Sequence, residues 1–314
     1  MEKQLTKGFN MPFFFNQFPN NGFYPHQRVT DEIAFLKSDN AGHSLVRYPG
    51  GTLGNFSDSR KVGYGTDKEH PRAKASYLAN FKFMIDELDL SATLVANVYQ
   101  AMLTTNRSYW VDDLKNMLDV LGSRVKYVEL GNELNISGQI TKVADKPGFF
   151  ESENKYRNKV TDAANRFIDT AYLFYDAVKR HNAAIKVGFP MGNPFTIRNK
   201  EWNRVLRTAD FNDAEIFHTY LRYTTYNEIT SPINIKIDIN KMINGAKKPV
   251  WFTEWGWSHG NGDGGEFKNL EDIGKQPYNT FFYDFPYVCY HHPQVEMICR
   301  HMLYGSNPYC VIKP

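Results

Sequence analysis

The chain has 314 residues, 42% hydrophobic, 15% aromatic and 23% charged, with a formal net charge of +3 and three cysteines. This is a globular composition, and the length suits one large α/β barrel or two modest domains rather than a small stapled domain. The charge has no basic block, which speaks against a nucleic-acid partner, Cys289, Cys299 and Cys310 give neither a disulfide framework nor metal-ligand spacing, and no apolar run reaches membrane-spanning length.

The start, Met1-Glu2-Lys3-Gln4-Leu5-Thr6-Lys7, lacks the apolar centre of a signal peptide. That fits a protein that stays inside a cell, or one whose leader has been removed. Strand signals then alternate with helical patterns. The predicted strands are 11–16, 44–49, 92–99, 126–133, 185–190, 214–220, 249–255 and 295–303. Helices are predicted at 28–39, 76–89, 108–121, 158–181, 199–208, 229–244 and 277–291. Several strands are apolar runs without clean alternation, as expected when both faces are covered. Eight strands separated by helices predict an α/β fold, a single (β/α)8 TIM barrel spanning residues 1–314. Gly305, Pro308 and Pro314 predict that the last helix is short or absent. Polar stretches at 50–75, 134–157 and 256–276 follow strands two, four and seven and belong to the functional face.

Two strand ends carry carboxylates. Glu133 closes Tyr127-Val128-Glu129-Leu130-Gly131-Asn132-Glu133, and Glu254 lies within Val250-Trp251-Phe252-Thr253-Glu254-Trp255-Gly256-Trp257. Two acids facing one sugar are the machinery of glycoside hydrolysis, one as proton donor and one as nucleophile or stabiliser. Asn132, beside the first acid, is placed to reach a sugar 2-hydroxyl. A glutamate among aromatics is costly unless it is paired or used. His218 and Tyr220 share one side of strand six. Tyr220 can hold a carboxylate ionised, and His218 can tune its charge or bind a hydroxyl. Arg47, between apolar neighbours on strand two, can lower the pKa of Glu254. The Gly50-Gly51 pair after it suits a close backbone approach to a ligand, a phosphate-binding turn or a plain tight turn. Asn97, Tyr99, Trp257, Asn193, Trp255, His259 and His301 complete the cleft candidates, with Trp257 and Tyr48 or Tyr99 as sugar-stacking rings.

Together these motifs resemble the retaining glycoside hydrolases of clan A. The resemblance rests on Gly131-Asn132-Glu133, Thr253-Glu254-Trp255-Gly256, His218-Thr219-Tyr220 and Arg47-Tyr48-Pro49-Gly50-Gly51. It is strongest to the arabinofuranosidase, xylosidase, heparanase and agarase branches. It implies Glu133 as acid/base, Glu254 as nucleophile, Asn132 as the 2-hydroxyl contact, Tyr220 as the hydrogen-bond partner of the nucleophile, and Arg47 as the strand-two arginine. It implies an oligo- or polysaccharide substrate and no metal or cofactor. Many clan members end strand eight in a sugar-platform Trp, whereas this chain reads Cys299-Arg300-His301-Met302. Two other readings stand beside this one. One is a glycan-binding barrel without turnover. The other is a metal-dependent sugar-converting barrel with Glu133, His218 and Glu254 as ligands, although strands five and eight end without a further Asp or Glu. The sequence is silent on oligomeric state.

Overall fold

A computed structural model describes residues 4–10, 44–61, 74–75, 78–136, 146–148, 151–222, 231–258 and 275–301. Eight parallel strands close into one barrel. They are β1 (Thr6–Asn10), β2 (Leu45–Tyr48), β3 (Ser91–Val95), β4 (Val125–Glu129), β5 (Lys186–Pro190), β6 (Ala214–Arg222), β7 (Val250–Ser258) and β8 (Val295–His301). Each strand pairs with its neighbours in sequence, and β1 pairs with both β2 and β8 to seal the ring. The helices are α1 (Leu78–Glu87), α2 (Val98–Leu103), α3 (Arg107–Leu121), α4 (Glu153–His181), α5 (Ile197–Leu206), α6 (Pro232–Met242) and α7 (Lys275–His291). This is the (β/α)8 fold that the sequence predicts. Among the described residues no helix is long and apolar enough to cross a membrane.

The core has two layers because successive strand residues point to opposite faces. Inside the barrel, Leu45, Ala214, Ile216, Trp251, Met297 and Cys299 form one buried cluster, with Tyr127 against it. Gly188 makes room there: a Cβ on it would lie 2.5 Å from Ile216 Cδ1 and 2.8 Å from Trp251 Cζ3. Outside, alternate residues meet the helices. Tyr48 stacks on Phe81 of α1 at 4.1 Å, and Trp255 stacks on Phe285 of α7 at 4.4 Å. The helices begin where side-chain caps satisfy free backbone amides: Asn97, Asn106, Ser152, Thr196 and Ser231 cap α2 to α6.

Three boundaries differ from the sequence reading. The first barrel strand is Thr6–Asn10, not 11–16. Its polar start hid it, but Gly8 gives it away in three dimensions, since a Cβ would lie 2.6 Å from the Leu45 carbonyl oxygen. Residues 11–16 and the helix predicted at 28–39 lie outside the described residues, as does everything after 301. Strand three stops at Val95 rather than 99, because Asn97 caps α2 and turns the chain into helix. Strand four stops at Glu129, and Glu133 lies in the turn that follows it.

The strand β7 carries a bulge that changes which of its side chains face the interior. Against β6, Ile216 pairs with Trp251 but His218 pairs with Glu254. Against β8, Ile298 pairs with Phe252 but Arg300 pairs with Trp255. Both neighbours advance two residues while β7 advances three. One extra residue therefore sits between Trp251 and Trp255, which lets Thr253 and Glu254 both reach interior partners.

Candidate active site

Arg47 is the centre of the site. It is fully buried on β2, and all five of its N–H donors are used. Nε donates to Glu129 Oε2 at 2.7 Å and Nη2 to Glu129 Oε1 at 2.8 Å, a two-point fork. Nη1 donates to Glu254 Oε1 at 2.6 Å and to Asn10 Oδ1 at 3.1 Å. The second Nη2 proton goes to Asn132 Oδ1 at 2.8 Å. A buried cation needs such company, because desolvation alone costs several kcal/mol. Burial opposes the charge of Arg47, but Glu129 and Glu254 outweigh it and raise its pKa above the ordinary value. Glu129 shows the converse. Burial raises its pKa, and Arg47 and His218 more than cancel that, leaving it below the usual carboxylate range.

Glu254 is held at both oxygens. Arg47 donates to Oε1, and the Tyr220 hydroxyl donates to Oε2 at 2.9 Å. His218 joins the carboxylates: its Nδ1 lies 3.1 Å from Glu133 Oε1 and 3.6 Å from Glu254 Oε2, and its Nε2 lies 3.4 Å from Glu129 Oε1 and 3.1 Å from Thr253 Oγ1. Burial by itself would lower its pKa, but Glu254 and the hydrogen bonds to Glu129 and Glu133 carry it up to about 10. The Arg47 Nη2, 3.4 Å from Nε2, acts against that rise. The Glu133 side chain is 32% exposed against 5% for Glu254, so the first acid faces solvent and the second lies beneath it.

The turn that carries Glu133 is unusual in backbone. Gly131 has φ 92° and Glu133 has φ 47°, both left-handed. Glycine adopts this freely, whereas a glutamate does so only where its surroundings fix it. Asn132 lies between them, its Oδ1 taken by Arg47. That bond turns the amide so that Nδ2, without a partner among the described residues, is left to donate.

A carboxylate oxygen of Glu133, one of Glu254 and a ring nitrogen of His218 all lie within 4.8 Å of one another. A divalent cation would need those three atoms. It would have to compete with Arg47 and Tyr220 for Glu254 and with Thr253 and Glu129 for the His218 ring. The donor set therefore fits proton and nucleophile chemistry better than metal binding.

The fold of this chain is one found among solved glycosidase structures. It matches the β-glycosidase BGL167 with a TM-score of 0.54 at 13% identity, covering 97% of this chain and 88% of that one. It matches a GH5-4 broad-specificity endoglucanase from an uncultured bacterium with a TM-score of 0.56 at 15% identity, covering 98% and 91%. It matches a GH128 endo-β-1,3-glucanase from Amycolatopsis mediterranei, solved with laminaripentaose, with a TM-score of 0.51 at 10% identity, covering 98% and 92%. Two β-glucuronidases also match, but this chain spans only 49% and 32% of their length. At such identities the likeness is one of fold. No protein family matches the sequence, and no curated protein does.

The structure thus brings together Arg47, Asn132, Glu133, His218, Tyr220 and Glu254 from the residues singled out in the sequence. Others go elsewhere. Asn97 is 1% exposed, caps α2 and donates to the Ser57 carbonyl at 2.8 Å, so its side chain is a structural cap. Tyr99 is buried beside Phe56, and Tyr48 and Trp255 are buried in the stacks with Phe81 and Phe285. Their position in helix or on the outward phase of a strand turns them to the core rather than to sugar. Asn193 donates to the His218 carbonyl at 3.0 Å. The side chains of Trp257 and His301, and all of His259, lie outside the described residues. Four site residues went unread in the sequence: Asn10, Asn55, Glu129 and Thr253. Glu129 had a signal, a carboxylate inside an apolar strand, in phase with Tyr127. Asn55, which meets the Asn132 backbone, had none.

Proposed function

We propose that this chain is a retaining glycoside hydrolase acting on an oligo- or polysaccharide, with residues 1–314 as one catalytic unit. The observation that carries the reading is the treatment of the two acids. Glu254 is buried and held at both oxygens by Arg47 and Tyr220, while the more exposed Glu133 has an oxygen within 4.8 Å of it. A retaining pair has carboxyl groups about 5–5.5 Å apart, and an inverting pair stands roughly 6.5–9.5 Å apart to admit a water. The close approach supports the first arrangement.

In this reading the ionised Glu254 attacks the anomeric carbon as Glu133 donates its proton to the departing glycosidic oxygen. Arg47 and Tyr220 keep Glu254 ionised and aimed. Asn132 Nδ2 donates to the 2-hydroxyl. His218, with Nδ1 3.1 Å from Glu133 Oε1, holds the Glu133 carboxyl in place. That carboxyl, ionised after proton donation, then takes a proton from water, which attacks the anomeric carbon and releases Glu254. The sequence needs no metal or cofactor. The neighbours named as endoglucanase, endo-β-1,3-glucanase and β-glycosidase support a carbohydrate substrate.

The test is hydrolysis of a panel of defined oligo- and polysaccharides, with the product anomer followed by proton NMR. The first-formed product should have the substrate's configuration. Glu254→Ala should abolish turnover. Glu133→Ala should spare aryl glycosides with good leaving groups, and azide should rescue it. An inverted product, or two variants with the same leaving-group behaviour, refutes the assignment. Binding of a glycan without turnover would favour a glycan-binding barrel instead.

A further inference from the structure

We propose that Asn55 is a positioning residue that sets the backbone of the acid/base turn, so that the loop after β2 governs the protonation power of Glu133. The inference rests on the reading of Glu133 as acid/base.

Asn55 ends a 3-10 turn, Gly51–Asn55, and is 5% exposed. Its side-chain amide makes two bonds to one residue. Nδ2 donates to the Asn132 carbonyl at 2.7 Å, and the Asn132 N–H donates to Oδ1 at 3.0 Å. The amide thus takes the place that a neighbouring strand would take. The two bonded groups belong to the peptides on either side of Asn132. Both peptide planes are fixed, and with them the approach to the left-handed Glu133. Asn132 is also fixed through its own side chain by Arg47. On the far side, Asn135 Nδ2 donates to Asn199 Oδ1 at 3.1 Å, holding the exit from the turn.

A clamp can only position what it holds if its own base is rigid. The base here is pinned at four places. Gly54 is packed so closely that a Cβ would lie 2.7 Å from Val95 Cγ1 and 2.9 Å from the Pro49 carbonyl oxygen. Gln100 Nε2 donates to the Asn55 carbonyl at 3.4 Å, and Asn97 Nδ2 donates to the Ser57 carbonyl at 2.8 Å. The Ser59 N–H donates to Asp113 Oδ1 on α3 at 2.7 Å. This explains the structural duty of Asn97. It ties the loop to the helix that follows β3.

Glu133 could lose its aim without the fold being lost. The strands and Arg47 would remain, but the peptide between Asn132 and Glu133 would be free to rotate toward an ordinary backbone angle, carrying the carboxyl away from His218.

The experiment uses the full chain with Asn55→Ala and Asn55→Asp, the second keeping the acceptor for the Asn132 N–H and losing the donor to its carbonyl. Rates are measured well below each variant's melting temperature, on aryl glycosides of graded leaving-group pKa and on an unactivated oligosaccharide. Both variants should lose at least tenfold more kcat/KM on the poor leaving groups than on the good ones, the pattern expected of Glu133→Ala. A purely structural role would lower both classes alike, and that result, with Glu133→Ala still selective, overturns the inference and leaves the glycosidase reading intact. Absence of glycosidase activity in the parent overturns that reading and, with it, any role of Asn55 in proton donation. A crystal structure of either variant tests the clamp itself. A Glu133 φ still near 47° with its carboxylate still about 3.1 Å from His218 Nδ1 would overturn it. If Asn55→Ala fails to fold, Asn55→Asp carries both measurements.

Discussion

Replacing Glu129 by Gln removes one negative charge from the centre of the barrel with little change of shape. The side chains of Glu129 and Arg47 are both 0% exposed, so solvent does not screen their attraction. Removing one partner of such a buried pair costs about 3–5 kcal/mol, because the other charge stays buried without compensation. Arg47 keeps Glu254 through its 2.6 Å bond, and the Gln oxygen still accepts one hydrogen bond. The loss should therefore fall at the low end, about 3 kcal/mol, or roughly two decades in the ratio of folded to unfolded protein. At roughly 2 °C per kcal/mol for a chain of this size, the melting temperature should drop by about 6 °C. Equilibrium urea unfolding and calorimetry at pH 7 measure both. The pH dependence has a definite sign. Folding lowers the Glu129 pKa below its ordinary 4.5, so its stabilisation is present above that value and is lost as pH falls through the folded pKa. The gap between parent and variant should close in acid. A Glu129→Gln variant within about 0.5 kcal/mol of the parent at pH 7 would refute the buried-pair account.

Tyr220→Phe removes one hydrogen bond to the buried Glu254 carboxylate, worth about 1.5–3 kcal/mol, so stability should fall by about that amount and kcat/KM should fall with it; an unchanged rate would detach Tyr220 from the proposed nucleophile. His218 has its pKa raised on folding from 6.5 to about 10, so the stability it contributes is full below about pH 6.5 and is lost as pH rises through 10; His218→Phe should flatten stability over that range in pH-dependent denaturation. Burial and the neighbouring Asp58 raise the Asp113 pKa, so its ionisation costs stability as pH rises above the ordinary carboxylate range; Asp113→Asn should stabilise the protein at neutral pH and not in acid. Trp255→Ala should cost about 3–5 kcal/mol in unfolding because its ring fills the layer against Phe285, while any change in KM would return it to the cleft.

Local pattern carried much of this protein. Seven of the eight barrel strands stand near the predicted 44–49, 92–99, 126–133, 185–190, 214–220, 249–255 and 295–303, because buried strands and amphipathic helices leave marks within a few residues of themselves. The residues Arg47, Asn132, Glu133, His218, Tyr220 and Glu254 were legible for a similar reason. Charged or polar groups at the ends of apolar runs stand out against the cost of burying them. Thr6–Asn10 was not legible, since its pairing with β2 and β8 joins residues far apart in the chain.

What only the tertiary structure decided is the way charges and backbone meet. Strict alternation from the inward Trp251 would turn Glu254 outward, three residues on. The bulge in β7 reverses that, and it exists only in the register with β6 and β8. The partner of Arg47 is likewise shared between Glu254, some 207 residues away, and Glu129, 82 residues away, and no local rule selects between them. Asn97 and Tyr99 read as cleft residues at the end of the strand predicted at 92–99, but a helix cap turned them into the core. Sequence supplied the groups. Closure of the ring supplied their distances, because a barrel brings the ends of all its strands to one mouth however far apart they lie along the chain.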